Sequence, residues 1–160
     1  MATTRITPDQ DAIVSEIDIA APPDRVFEAL INRDQAMQWG SKENFEMTVW
    51  EMDARPGGKW QFISHEKGVT SPDGKPREFE HHGKVLEVDP PRTLVYSWFA
   101  NWHENPTIET VVRWELTPTS AGTRVKVTHS GLAQMPATRA GYSQGWPGLV
   151  TAFKNFLENK

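Results

Sequence analysis

The chain has 160 residues, enough for one domain and little more. It contains no cysteine, which excludes disulfides, thiolate nucleophiles and sulfur-ligated zinc or iron. With 17 Lys and Arg against 21 Asp and Glu, the net charge of -4 argues against a nucleic-acid partner. No apolar run approaches the roughly 20 residues of a membrane span, and the polar start is unlike a signal peptide, so a soluble cytoplasmic protein is expected. Seven Trp and seven Phe stand beside only two Tyr. Such rings fill cores or line pockets for apolar ligands, and composition leaves both readings open.

Residues 1–11 carry little apolar content and are expected to form a flexible N-terminal arm, with 12–160 a single domain. Ile13, Ser15, Ile17 and Ile19 then alternate with Val14, Glu16 and Asp18, the period of a half-buried strand. Ala21-Pro22-Pro23-Asp24 ends it and opens a helix. A proline in the first turn lacks an N–H that would be unpaired there anyway, and Asp24 suits the positive helix end. Val26, Phe27, Leu30 and Ile31 form the apolar stripe. Asp34 is placed as the cap of a second short helix with Ala36, Met37 and Trp39, ended by Gly40.

Strands follow. Phe45, Met47 and Val49 alternate with Glu46, Thr48 and Trp50. Beyond the turn at Arg55–Gly58, Trp60, Phe62 and Ser64 oppose Gln61, Ile63 and His65. Residues 68–76 read as a polar hairpin loop. The segments 79–88, 93–102, 108–117 and 123–130 are further strands, giving six to seven at the spacing of an antiparallel sheet. At the end, Tyr142, Trp146, Leu149, Val150, Phe153, Phe156 and Leu157 recur at three- and four-residue steps, one face of a long helix. Pro147 puts its start near Gly145, or an early bend there.

This order is α+β: a curved antiparallel sheet wrapped around a long C-terminal helix, with two short helices after the first strand. The helix has to bury its stripe, and the concave face of the sheet is the surface available. By parity, Trp60 and Phe62 share a face, as do Tyr96 and Trp98, and Val112, Trp114 and Leu116. If these faces are concave, the rings converge with Trp146 on one pocket.

The segments "IDIAAPPDRVFEALINRDQAMQW", "PGGKWQF", "GKVLEVDPPRTLVYSW", "VRWELTPTSAGTRVKVTHSGL" and "GWPGLVTAFKNFLE" carry a resemblance over residues 12–158. The chain resembles the START-like, or helix-grip (SRPBCC), superfamily. Within it, the chain is similar to the branch named after an activator of a heat-shock-protein ATPase (AHSA-like). The resemblance implies a helix-grip fold around an apolar cavity and a small hydrophobic molecule, lipid, polyketide or aromatic, as ligand, with no cofactor. The implied ligand-binding set is Trp39, Trp60, Phe62, Tyr96, Trp98, Val112, Trp114, His129 and Trp146. It also implies two alternatives: an enzyme of the same fold with a cavity histidine as proton shuttle, and a chaperone-associated stress-response role.

Polar chemistry is sparse. His81 and His82 lie on opposite strand faces, so one points inward; residues 84–88 are apolar on both parities, as at a bulge, and leave open which. His129 follows Val125 and Val127 at period two and so points inward, needing a partner such as Tyr96, Glu87 or Ser130. It is a candidate for acid–base catalysis, as is whichever of His81 and His82 points inward, and no activating carboxylate is evident. No metal site is expected, because His-x-His, HExxH and calcium-loop spacings are missing. Gly57-Gly58 precedes a strand and reads as a turn, not a phosphate loop. Arg113, Arg124 and Lys126 form an outer-face stripe. Residues 99–107 are open between a pocket lid, a homodimer contact and ordinary packing.

Overall fold

A computed structural model describes residues 2–40, 45–70 and 76–159. In chain order the elements are β1 (Thr3–Ile6), β2 (Ile13–Ile19), α1 (Pro23–Ile31), α2 (Arg33–Gly40), β3 (Phe45–Met52) and β4 (Lys59–Thr70). They continue with β5 (Pro76–Asp89), β6 (Thr93–Ala100), β7 (Thr110–Thr119), β8 (Gly122–Ser130) and α3 (Pro136–Glu158). The strands form one sheet in the order β1-β2-β8-β7-β6-β5-β4-β3, antiparallel throughout. The α+β architecture and the gripped C-terminal helix are as expected; the sheet has eight strands where six to seven are predicted.

The additional strand lies in the N-terminal arm. Thr3–Ile6 pairs with Ile13–Glu16, so the arm is a held edge strand. The Asp11 carboxylate tightens the return by accepting the amides of Gly131 and Ala133, each at 3.1 Å. An edge strand presents half of its surface to water, and Thr-Thr-Arg-Ile carries no apolar alternation to reveal it.

Helix α1 begins at Pro23, with Pro22 as extended N-cap, as the chemistry of the first turn predicts. The cap of α2 is Asn32, not Asp34: Asn32 Oδ1 accepts the Gln35 amide at 3.0 Å. Asn32 also donates its own amide to Glu28 at the end of α1, so one residue serves both helices.

Two registers depart from simple alternation. In β3 a shift between Met47 and Val49 turns Met47, Trp50 and Met52 toward one side, whereas period two sets Met47 opposite Trp50. In β5 a shift between Val85 and Glu87 leaves Leu86 exposed and fixes the parity of what precedes it. His81 is consequently buried and His82 exposed. Of the expected hairpin loop 68–76, Gly68–Thr70 belong to β4 and Pro76 to β5, while residues 71–75 lie outside the described residues.

Helix α3 starts at Pro136, well before the predicted start near Gly145, and Pro147 sits inside it. Its first turn is capped from a distant segment. The Thr138 amide donates to Glu104 Oε1 at 2.8 Å, and the Glu104 amide donates to Thr138 Oγ1 at 3.0 Å. Tyr142, Trp146, Val150, Phe153 and Leu157 form the buried face. On the outer face of the sheet, Arg113 pairs with Glu87 and Arg124 with Asp18, so both arginines of the basic stripe stand in solvated ion pairs. No helix among the described residues is long and apolar enough to cross a membrane.

Candidate functional site

Between the sheet and the helices lies a continuous layer of rings. Trp39 contacts Phe153 at 4.8 Å between centroids and Trp114 at 6.5 Å, joining α2 to α3 and β7. Trp60 lies 4.9 Å from Tyr96 and 5.0 Å from Trp98, and Trp98 lies 6.1 Å from Trp146. Each such pair adds about 0.5–1.5 kcal/mol beyond burial alone, so the layer is also the main packing unit.

The layer leaves a void of about 70 Å³. Trp39, Trp60, Phe62, Tyr96, Trp98, Trp114 and Trp146 line it, bringing together seven of the nine residues singled out from sequence. Val112 and His129 are fully buried but are not part of this wall. The sequence reading missed Gly40, Met47, Trp50, Met52 and Leu149, which complete it. Leu149 was legible as part of the helical stripe. Met47, Trp50 and Met52 share a side because of the β3 bulge, which alternation does not reveal.

Among the described residues no charged side chain stands in the wall. The void is smaller than the roughly 300 Å³ at which drug-sized pockets begin. Met47, Met52 and Leu149 are the adjustable part of its boundary: methionine is unbranched and repacks easily. Gly40 matters here, because a Cβ at that position would come within 2.3 Å of the Met47 methyl carbon. A second concavity, about 930 Å³ and open to solvent, lies across the sheet around the exposed Glu51, Lys59, Gln61, His82 and Lys84. It is larger, but its charged and solvated rim suits an apolar molecule poorly.

Three buried histidines adjoin the ring layer. The Trp146 indole donates to His129 Nδ1 at 3.2 Å, which leaves Nε2 as the protonated nitrogen of the neutral ring. That Nε2–H faces Thr110 Oγ1 at 2.9 Å, and Thr110 in turn donates to the Trp98 carbonyl at 2.7 Å. The partners are therefore Thr110 and Trp146, not Tyr96, Glu87 or Ser130. Thr110 shares the inward parity of Val112 on β7, but only the β7–β8 register places it beside His129. Burial, reinforced by His103 and His81, holds the His129 pKa well below that of free imidazole.

His81 stacks on Phe62 at 4.0 Å and accepts the Trp102 indole at Nε2. Burial, with smaller contributions from His103 and His82 against an opposing one from the Phe62 backbone, lowers its pKa to about 3. His103 meets the Tyr142 hydroxyl at 2.6 Å, and burial lowers its pKa to about 4. Nδ1 of both rings is buried without a hydrogen-bond partner. Trp102 packs on Tyr142 at 4.9 Å. Residues 102–104 thus fasten the sheet end to the first half of α3. Among the described residues no group of three or more His, Asp or Glu is placed to hold a metal.

An antiparallel sheet gripping a long C-terminal helix over an aromatic interior defines a helix-grip domain. The chain belongs to the Activator of Hsp90 ATPase homolog 1-like family, whose model matches residues 20–158. Among solved structures it is similar to a Rhodobacter sphaeroides protein, at TM-score 0.81 and 16% identity over 100% of both chains. It is also similar to protein CV1439 from Chromobacterium violaceum, at TM-score 0.78 and 21% identity, covering 92% of this chain and 98% of that one. The AHSA1-like protein from Aeromonas hydrophila matches at TM-score 0.70 and 22% identity over 92% of each chain. At these identities the likeness concerns the fold. No curated protein matches the chain.

Proposed function

We propose that the protein binds a small, uncharged hydrophobic molecule between the sheet and helices α2 and α3, as a carrier or receptor without covalent chemistry. One observation carries this reading: an uncharged, largely aromatic wall surrounds residual space in the interior, bounded on one side by adaptable Met47, Met52 and Leu149 side chains. Entry of a ring-sized molecule requires those side chains to rotate. His129 lends no support to a proton shuttle, since both its ring nitrogens are engaged and its charged form is strongly disfavoured.

The test pairs native and denatured mass spectrometry of the purified protein with titration of small neutral aromatics, followed by tryptophan emission. Saturable emission changes, or a mass adduct lost on denaturation, support the reading. A clean apo mass together with flat titrations for every neutral aromatic overturns it.

A further inference from the structure

We propose that the hydroxyl of Tyr96 is the polar anchor of this interior site, and that the ligand is a compact neutral ring compound carrying a hydrogen-bond-accepting oxygen of the ketone or aldehyde type. The proposal rests on the reading of the void as a ligand site, and deepens it by naming what the site recognises.

Five of the tryptophans in the wall direct their N–H groups into the protein. Trp39 donates to the Ala29 carbonyl, Trp60 to the Ser97 carbonyl, Trp98 to Tyr142, Trp146 to His129, and Trp114 to the Tyr96 hydroxyl at 2.8 Å. A phenol both accepts and donates. Tyr96 oxygen accepts from Trp114, while its own hydrogen meets no acceptor among the described residues. Tyr142 differs: its hydroxyl lies between the Trp98 donor and the His103 ring nitrogen, so it has a second polar partner.

Tyr96 is buried, and both partners of the Trp114–Tyr96 bond line the void. Trp114 occupies one side of the oxygen and so restricts where the O–H can turn. Burial also pushes the Tyr96 pKa well above that of an ordinary phenol, so the group stays a donor. A buried donor without an acceptor is costly, and a water placed on it would meet rings instead of the two to four polar partners that buried waters make. A ligand oxygen removes the mismatch while its ring system fills the remaining space. With no cation among the described residues of the wall, a carboxylate or sulfonate would be buried unpaired there, which selects a neutral acceptor.

The test uses two near-isosteric probes, acetophenone and α-methylstyrene, titrated into the wild-type protein and Tyr96→Phe. Expected is a loss of about tenfold in acetophenone affinity in Tyr96→Phe, the size of one hydrogen bond, with α-methylstyrene affinity unchanged. The carbonyl stretch of acetophenone bound to wild type should also lie below its position in cyclohexane. That infrared reading needs no variant, so it decides the matter even if loss of the Trp114 partner unfolds Tyr96→Phe. If both probes bind wild type but the stretch is unshifted, or Tyr96→Phe affects both equally, the anchor is overturned and the site stands. If neither probe binds wild type, the anchor for a compact ring ketone is overturned, and the ligand-site reading is decided by the mass and the wider titrations described above.

Discussion

Trp146 donates its indole N–H to Nδ1 of His129 at 3.2 Å, tying the middle of α3 to β8 through a ring with no exposed surface. The bond ends a directed chain, Trp146 to His129 to Thr110 to the Trp98 carbonyl, in which every donor has an acceptor. The ring acts as a structural connector. His129→Ala removes its packing and orphans the Trp146 N–H together, and should cost about 3 kcal/mol. Urea unfolding followed by tryptophan emission measures this. A change under about 0.5 kcal/mol would refute the connector role.

Stability should depend on pH through the same cluster. His81 and His129 bind protons less readily when folded than free imidazole does at 6.5, and the shallower His103 follows to a smaller extent. Below that pH the unfolded chain takes up protons that the folded chain refuses. The contribution is therefore complete above about pH 6.5 and is lost as the pH falls toward 4 and then 3. The slope is at most about 1.4 kcal/mol per pH unit for each histidine. Asp9, Asp18 and Glu158 are also held low, by hydrogen bonds and ion pairs, and they add to the loss at the acid end of this range, around and below the ordinary values of 3.8 and 4.5. Urea midpoints from about pH 7.5 to about pH 4.5 should fall steadily. His81→Phe, which keeps a ring on Phe62, should flatten the curve by one histidine's share; a slope already flat in the wild type sinks the idea.

Gly83 is closely enclosed beneath the aromatic layer. A Cβ there would lie 1.9 Å from the Ser97 carbonyl oxygen and 2.7 Å from Trp60 Nε1, the two atoms that hydrogen-bond to each other at 2.7 Å. The first obstacle is backbone, so no rotamer change relieves it. Gly83→Ala should destabilise by about 1–3 kcal/mol and shift the Trp60 emission. Melting unchanged within a degree or so would show that β5 gives way more easily than this packing allows.

What sequence made legible follows a physical divide. Side-chain direction within a strand is a local property of period two, so the shared face of Trp60 and Phe62, and that of Tyr96 and Trp98, were readable without neighbours. Partnership is not local. Thr110 meets His129 because β7 pairs with β8 in one register, and Met47 joins Trp50 because β3 slips against β4. Likewise, β1 became visible only beside β2, since its own residues lack an apolar face. The early start of α3 was hidden for the same reason: its capping carboxylate, Glu104, lies in a different part of the chain from Thr138. The candidate site divides along this line, its rings readable and its β3 wall and hydrogen-bond partners not.

That capping contact gives the last prediction. Glu104 and Thr138 exchange two hydrogen bonds, from the Thr138 amide to Oε1 and from the Glu104 amide to Oγ1, as a capping box does within one helix. Here the two halves belong to the segment after β6 and to α3, so the pair joins elements as well as ending a helix. Glu104→Ala leaves the third amide of α3 without its acceptor and should cost about 1–2 kcal/mol. Thr138→Ala removes only the other bond, the one donated by the Glu104 amide, and should cost less. Hydrogen exchange at the Thr138 amide reports the contact directly: exchange should accelerate in Glu104→Ala, while amides near Phe153 stay protected. Equal acceleration along all of α3 would mean that the helix unfolds as one unit and that this clasp does not set the stability of its first turn.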